Sequence, residues 1–155
     1  MTKHEIIRLR AEDTEDLAVI AACLQDAIAC LAEMAYEPAN RRFALVIERF
    51  RWEDTKAAWA ARAAGLPAVK TGLHFETVRA VRLRGLDQRR RSDMLELLTV
   101  TSEPAGEGIT ISLLFAGGGE VRLEAERILC RMMDLEPPHR TRLRPRHPLD
   151  EEAGR

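Results

Sequence analysis

Residues 41–53, RRFALVIERFRWE, alternate apolar and polar side chains and then change face halfway along. The apolar residues fall into two sets, first Phe43, Leu45 and Ile47 and then Phe50 and Trp52. Side chains of a β-strand alternate between the two faces of a sheet. The change of face therefore requires either an extra residue near Glu48 and Arg49 or a strand that is covered on each side in turn. Both alternatives predict a bent strand in a curled sheet.

Length and composition predict one soluble cytoplasmic domain. The chain has 155 residues, 46% of them hydrophobic and 32% charged, with a net charge of -1. This balance is typical of a folded globular protein. Its apolar runs are much shorter than the roughly 20 residues that a membrane-spanning helix needs, and the N-terminus has no apolar core of a secretory signal. Three irregularly spaced cysteines indicate a reducing compartment.

The chain up to Asn40 predicts a strand, a helix and a hairpin. Residues 5–11 alternate as a half-buried strand, and apolar residues at spacings of three and four then predict a helix that begins near Thr14, with Asp13 or Thr14 as its cap. We expect the helix to end near Asp26 and a strand to continue through Tyr36. Residues 37–40, EPAN, form a turn of hairpin length, which favours strand over helix in 28–36.

The rest of the chain predicts further strands. Residues 54–67 are either a short helix or a surface excursion, whereas 71–86, 94–103 and 108–116 have strand character. After Val121 the alternating apolar residues change to the other face of the strand once more. The last element is therefore either a second bent strand or a strand that passes into a helix near Ile128.

The predicted fold class is α+β, with about seven strands in a strongly curled, mainly antiparallel sheet or partly open barrel and one helix after the first strand. A pleckstrin-homology-like arrangement is an analogy based on strand number, and it implies no function. We expect one domain over 1–138 and a basic, proline-containing tail over 139–155.

No local motif indicates catalysis, a cofactor or a metal. The four histidines and three cysteines lack metal-ligand spacing, and no serine lies in a nucleophile-elbow motif. The 117–119 glycines lack the Lys-Ser/Thr of a phosphate-binding loop and predict a hairpin turn. We therefore predict no catalytic, cofactor-binding or metal-binding residue. A small enzyme would have to assemble its site from distant residues, for which Asp26, Arg41, Arg49 and His74 are the candidates.

A binding or adaptor module is the leading functional hypothesis. Aromatic residues and arginine are enriched in interface hot spots, and 41–53 is rich in both. The candidate binding surface consists of Arg41, Arg49, Arg51, Trp52, Arg142, Arg144 and Arg146. It would bind a partner protein or a second copy of the chain through a sheet edge or an arginine-bearing concave face.

The alternative hypothesis is that arginine clusters at 89–91 and 140–146 bind an anionic ligand or nucleic acid. Nearby acids at 150–152 and the lack of stacking aromatic residues in the clusters argue against nucleic acid. We expect no membrane partner.

Six motifs in order resemble a family of small uncharacterised alphaproteobacterial proteins, classed as a domain of unknown function. The motifs are LQDA (24–27), RRFAL (41–45), RFRWE (49–53), LHFETVRAVRLRG (73–85), LLFAGGGEVRLEAE (113–126) and RPRHP (144–148). The resemblance implies a bacterial cytoplasmic single-domain protein and supplies no catalytic or ligand-binding residue. The chain departs from the family pattern at 28–33 and 56–64, which are alanine-rich.

Overall fold

A computed structural model of the chain describes residues 6–51, 66–137 and 139–141. These residues form one α-helix, α1 (Thr14–Cys23), and eleven strands, with short 3-10 turns at Leu31–Glu33 and Pro38–Asn40. The strands are β1 (Arg8–Ala11), β2 (Ile28–Ala29), β3 (Met34–Glu37), β4 (Arg42–Phe50), β5 (Leu66–Phe75), β6 (Val78–Arg84), β7 (Leu95–Ala105), β8 (Gly108–Phe115), β9 (Glu120–Ala125), β10 (Cys130–Asp134) and β11 (His139–Thr141).

The strands form one antiparallel sheet in the order β1-β10-β5-β4-β2-β7-β8-β9-β6, with β11 beside β5 and β3 beside β4. The predicted antiparallel sheet with one helix after the first strand is confirmed. The prediction of about seven strands needs correction. A 3-10 turn divides 28–36 into β2 and β3, and sharp bends divide the predicted 71–86 strand and the last element into two strands each.

Helix α1 begins where the acidic cluster predicts it. The side chain of Asp13 accepts a hydrogen bond of 2.8 Å from the backbone N–H of Asp16, so Asp13 is the N-cap. The helix buries Leu17 and Ile20 in the core. It ends three residues before the predicted limit, because Asp26 adopts a positive φ of 63° and donates its backbone N–H to Leu97 of β7.

Strand β4 contains no extra residue. Its register with β5 is unbroken from Phe43 opposite Phe75 to Phe50 opposite Ala68. The change of face arises because the end of the strand is covered on both sides, so that the neighbours Arg49 and Phe50 are both buried. Of the two alternatives that the alternation left open, the second is therefore correct for the described part of 41–53.

The chain bends sharply between β5 and β6 and between β9 and β10, and the two bends lie side by side in one corner of the sheet. On one side of it Phe75 of β5 lies opposite Cys130 of β10, and on the other Val78 of β6 lies opposite Ala125 of β9. The corner is closed by hydrogen bonds from Glu76 N–H to Leu129 C=O and from Glu126 N–H to Thr77 C=O. The last element is thus a second bent strand rather than a helix.

The inner face of the sheet forms one core. Phe43, Leu45 and Ile47 of β4 pack in the same cluster as Ile111, Leu113 and Phe115 of β8, as the alternation predicts. Away from the covered end of β4 at Phe50, the opposite, outer face of β4, β5 and β10 is open to solvent and forms the candidate site.

Candidate functional site

The outer face of β3, β4, β5 and β10 carries apolar residues where a solvent-facing antiparallel sheet normally carries polar ones. Because residues alternate along each strand, the neighbours of the core side chains face outward. These outward residues are Ala35, Ala44, Val46, Gly72 and Met133, and Leu135 follows just after β10. The result is a continuous apolar floor on the surface.

This floor lies in an open groove of about 770 Å³, termed here the outer trough. Met133 and Leu135 in its lining are 41% and 47% exposed. Gly72 lies opposite both Val46 and Met133, and a Cβ added to it would come within 3.4 Å of the Leu135 side chain. The absence of a side chain at Gly72 therefore keeps the centre of the trough open.

Arginines line one side of the outer trough. In the β1–β10 ladder Arg10 lies opposite Arg131 and Arg8 opposite Met133, and all three arginines are exposed. We term Arg8, Arg10 and Arg131 the basic flank. Its arginines stand on the two strands at one edge of the sheet, whereas Glu33, another lining residue, lies on the far side next to β3.

A buried charge cluster supports the trough from the other face of the sheet. The Asp134 carboxylate accepts hydrogen bonds from Nε and Nη2 of Arg49 at 2.9 and 2.8 Å, and from the Thr71 hydroxyl at 2.9 Å. The backbone N–H of Ile7 donates to the same carboxylate, and Nη1 of Arg51 lies 4.0 Å from it. The side chains of Arg49 and Asp134 are fully buried.

This cluster joins four strand segments around Asp134. Ile7 precedes β1, Asp134 ends β10, Thr71 lies on β5 and Arg49 lies on β4. Because Asp134 points inward, its neighbours Met133 and Leu135 point outward into the trough. The cluster therefore fixes the floor of the trough as well as the sheet.

The protonation of Asp134 follows from this environment. Burial by itself would raise the pKa of Asp134, but hydrogen bonding and charge from Arg49, with further hydrogen bonds from Thr71 and Ile7, lower the pKa below its ordinary value of 3.8. The carboxylate is therefore ionised in the folded protein at neutral pH and matches the buried Arg49 charge.

Stability is expected to fall in acid through Asp134. Because the folded state holds this carboxyl at a lower pKa than the unfolded state, the stabilisation is fully present above the unfolded value near 3.8 and is lost as pH falls below it. Urea unfolding at a series of pH values checks this for the protein and for Asp134→Asn. The difference in unfolding free energy between them should shrink as pH falls through the folded pKa, and a constant difference contradicts the assignment.

The structure separates the residues of the predicted binding surface. Arg41 is exposed and pairs with Glu126, whereas Arg49 and Arg51 are buried beside Asp134 and do not contribute to an exposed surface. Four members of the predicted surface lie outside the described residues, namely Trp52, Arg142, Arg144 and Arg146. Of the segment 54–67, predicted as a short helix or a surface excursion, residues 54–65 also lie outside them, whereas Leu66 and Pro67 begin β5. The surface as a set stays a prediction.

The four candidates for an assembled catalytic site do not share a pocket in the described structure. Arg49 points inward to Asp134, whereas His74 lies on the outer face of β5, with Nδ1 at 3.0 Å from Glu76. Arg49 and His74 are well separated along the β4–β5 ladder, because Arg49 lies opposite Val69, near the end of β5 that is farther from His74. Asp26 is buried after α1, and Arg41 pairs with Glu126 in another part of the surface.

Acidic neighbours partner two arginines of the 89–91 cluster. Nε of Arg90 lies 2.7 Å from Asp93, and Arg89 contacts Asp87. Hydrogen bonds from the Arg89 backbone and side chain lower the pKa of Asp87. Arg91 donates to the Leu31 carbonyl. Most of the second cluster, 142–146, lies outside the described residues.

Cys130 is a buried core residue, and the described ranges contain no metal cluster. Burial raises the pKa of the Cys130 thiol, so Cys130 is a protonated core residue at neutral pH. No group of three or more histidine, cysteine, aspartate or glutamate side chains there is arranged to hold a metal ion. None of the helices in this part of the chain is long and apolar enough to cross a membrane.

Sequence reasoning missed both the trough and Asp134. The signal for the trough was present in the sequence. The positions of β4 and β5 that alternate with the core residues would normally be polar, but they include Ala44, Val46 and Gly72. The signal for Asp134 was the alternation along β10, which places Asp134 on the same face of the strand as Cys130 and Met132, both of which are buried. That Asp134 meets Arg49 depends on strand order, which the sequence did not predict.

These features define a small α+β protein with one open antiparallel sheet and an arginine-flanked apolar groove on its outer face. The chain belongs to the family described as "Protein of unknown function (DUF2948)", whose model matches residues 7–147. The resemblance to a domain of unknown function is thereby confirmed. No curated protein and no solved structure gives a significant match.

Proposed function

We propose that this protein is a non-enzymatic binding module of the bacterial cytoplasm, and that the outer trough binds the apolar part of a small ligand. The observation that carries the proposal is the exposed apolar floor. Two large side chains in it, Met133 and Leu135, are 41% and 47% exposed. Burial of such side chains is favourable by about 25 cal/mol per Å² of apolar surface. A ligand that covers this floor removes that surface from water.

The size and the rigidity of the outer trough support this proposal. Its volume is about 770 Å³. Small-molecule sites commonly have volumes of about 300 to about 1000 Å³. The floor is built on three neighbouring strands whose backbone pairing is continuous through Val46, Gly72 and Met133. A preformed floor binds a ligand without the entropic cost of ordering the chain.

The other functional hypotheses receive less support. Asp87 and Asp93 already partner Arg89 and Arg90, two of the three arginines in the 89–91 cluster, which weakens the case for nucleic acid at that place. The comparison with a pleckstrin-homology domain rests on strand number, so the proposal makes no use of it.

Binding of a neutral apolar fluorophore, N-phenylnaphthylamine, tests the proposal. We expect fluorescence enhancement with the unmodified protein and at least about a tenfold loss of affinity in Met133→Lys, because the added ammonium lies on the apolar floor. Leu98→Lys is the matched control, since Leu98 is 49% exposed on β7 and does not line the trough.

A second variant, Gly72→Val, separates binding from folding. Valine suits a strand, and its side chain fills the centre of the trough without adding charge. We expect it to weaken fluorophore binding while the urea midpoint stays unchanged. Equal binding by all four proteins, or no binding by any of them, overturns the proposal.

A further inference from the structure

The basic flank contains a like-charged pair that the described part of the protein does not fully neutralise. Arg10 and Arg131 are directly opposite each other in the antiparallel β1–β10 ladder. Like charges at directly opposite positions destabilise a sheet, and an anion between them would relieve this repulsion. Arg10 pairs with Glu12, whereas Arg131 and Arg8 form no ion pair with a described residue.

The charge around the outer trough is therefore asymmetric. Arg131 stands between Arg10 on β1 and His74 on β5, and the His74 ring already contacts Glu76. On the far side of the trough, Glu33 repels an anion. An anionic group is consequently stabilised on the basic flank and disfavoured next to β3.

The apolar floor continues from this flank along the strands. Leu135 lies beyond Arg131 on the same outer face, with Met133 between them, opposite Gly72. In an extended chain the separation of Arg131 and Leu135 corresponds to about 13 Å. A medium-length acyl chain that starts at Arg131 would cover Met133 and reach Leu135.

We infer that the ligand of the outer trough is a single-chain amphiphile with an anionic headgroup, a carboxylate or a phosphate, held by Arg131 and Arg10 with its chain on Met133 and Leu135. This inference rests on the proposed function, because it assigns the ligand class of the same trough. Guanidinium groups bind both headgroups through charge-assisted hydrogen bonds.

Competition against bound N-phenylnaphthylamine tests the headgroup. Dodecanoate, dodecyl phosphate and dodecanol carry the same chain and differ only in the head. At low salt we expect at least one of the two anions to displace the fluorophore at about a tenfold lower concentration than dodecanol, and added salt should reduce this advantage. The more potent anion identifies the headgroup.

Arg131→Gln is the diagnostic variant. We expect it to abolish most of the anion's advantage over dodecanol, measured as the ratio of their displacement concentrations on the variant itself. Arg82→Gln is the matched control, because Arg82 is an exposed strand arginine that pairs with Glu124 and does not line the trough.

The outcomes separate the two claims. If the fluorophore binds but dodecanol competes as well as both anions, or if Arg131→Gln leaves the anion preference intact, the inference is wrong and the proposed function stands. If the fluorophore does not bind at all, the proposed function fails and the inference fails with it.

Discussion

Asp134→Asn is expected to lower the free energy of unfolding by about 3–5 kcal/mol at neutral pH, because it removes the negative charge that Asp134 places against the buried Arg49 guanidinium. The Arg49 side chain is fully buried and donates two hydrogen bonds to this carboxylate. Asparagine has the same shape, so the loss reports charge and hydrogen bonding rather than a cavity. Urea unfolding followed by circular dichroism measures it.

An exposed ion pair supplies the control for Asp134→Asn. Glu124 contacts Arg82 at 2.9 Å, with side chains that are 43% and 68% exposed. Glu124→Gln should cost less than about 1 kcal/mol, since water screens such pairs. A loss in Asp134→Asn no larger than that in Glu124→Gln would show that the buried cluster is not a stabilising element.

A double-mutant cycle tests whether Arg49 is the residue with which Asp134 interacts. We expect Arg49→Gln and Asp134→Asn together to cost less than the sum of the single losses, because the two residues form one hydrogen-bonded unit. Additive losses would contradict direct coupling between Arg49 and Asp134.

Gly108→Ala is expected to cost about 2–3 kcal/mol, because the strand cannot accommodate a methyl group at this position. A Cβ built on Gly108 would lie 2.4 Å from the backbone oxygen of Ala125 on β9. That oxygen belongs to the β8–β9 ladder, where Ile109 lies opposite Ala125, so it cannot move without loss of pairing. Thermal or urea unfolding measures the effect.

A neighbouring glycine provides the comparison for Gly108→Ala. Gly106 has a positive φ of 58° with open space around its Cβ position. Gly106→Ala therefore adds backbone strain and no collision, and we expect it to cost about 1 kcal/mol. A smaller loss in Gly108→Ala than in Gly106→Ala would mean that the β8–β9 pairing relaxes to admit the methyl group.

Local patterns predicted much of the fold because each depends on a few adjacent residues. The acidic cluster predicted a cap at Asp13 or Thr14, and the structure has Asp13 as the cap. The alternation in β4 predicted that Phe43, Leu45 and Ile47 share the core with β8. The turn at 37–40 also lies where the sequence predicted it, with the backbone of Arg41 in the left-handed region at φ 50°.

The predictions that needed correction involve interactions between distant segments. Whether 28–36 is one strand or two depends on its partners, because Ile28 pairs with both β4 and β7 whereas Met34 pairs with β4 alone. Arg49 was predicted on a binding surface because residues 41–53 are rich in aromatic residues and arginine, which are enriched in interface hot spots. Asp134, 85 residues away, reaches the same point and supplies a counter-charge for the buried Arg49.

Residues 41–53 show which features follow from the local sequence pattern and which depend on tertiary packing. Alternation alone establishes that 43, 45 and 47 face one way and that the face changes afterwards, because alternation is a property of the chain itself. That Arg49 continues the inner row, and that Ala44 and Val46 form part of an exposed trough, follows only from the folded sheet. Both outcomes depend on which strands lie alongside β4, and strand order is set by packing of the whole sheet rather than by local residue preference.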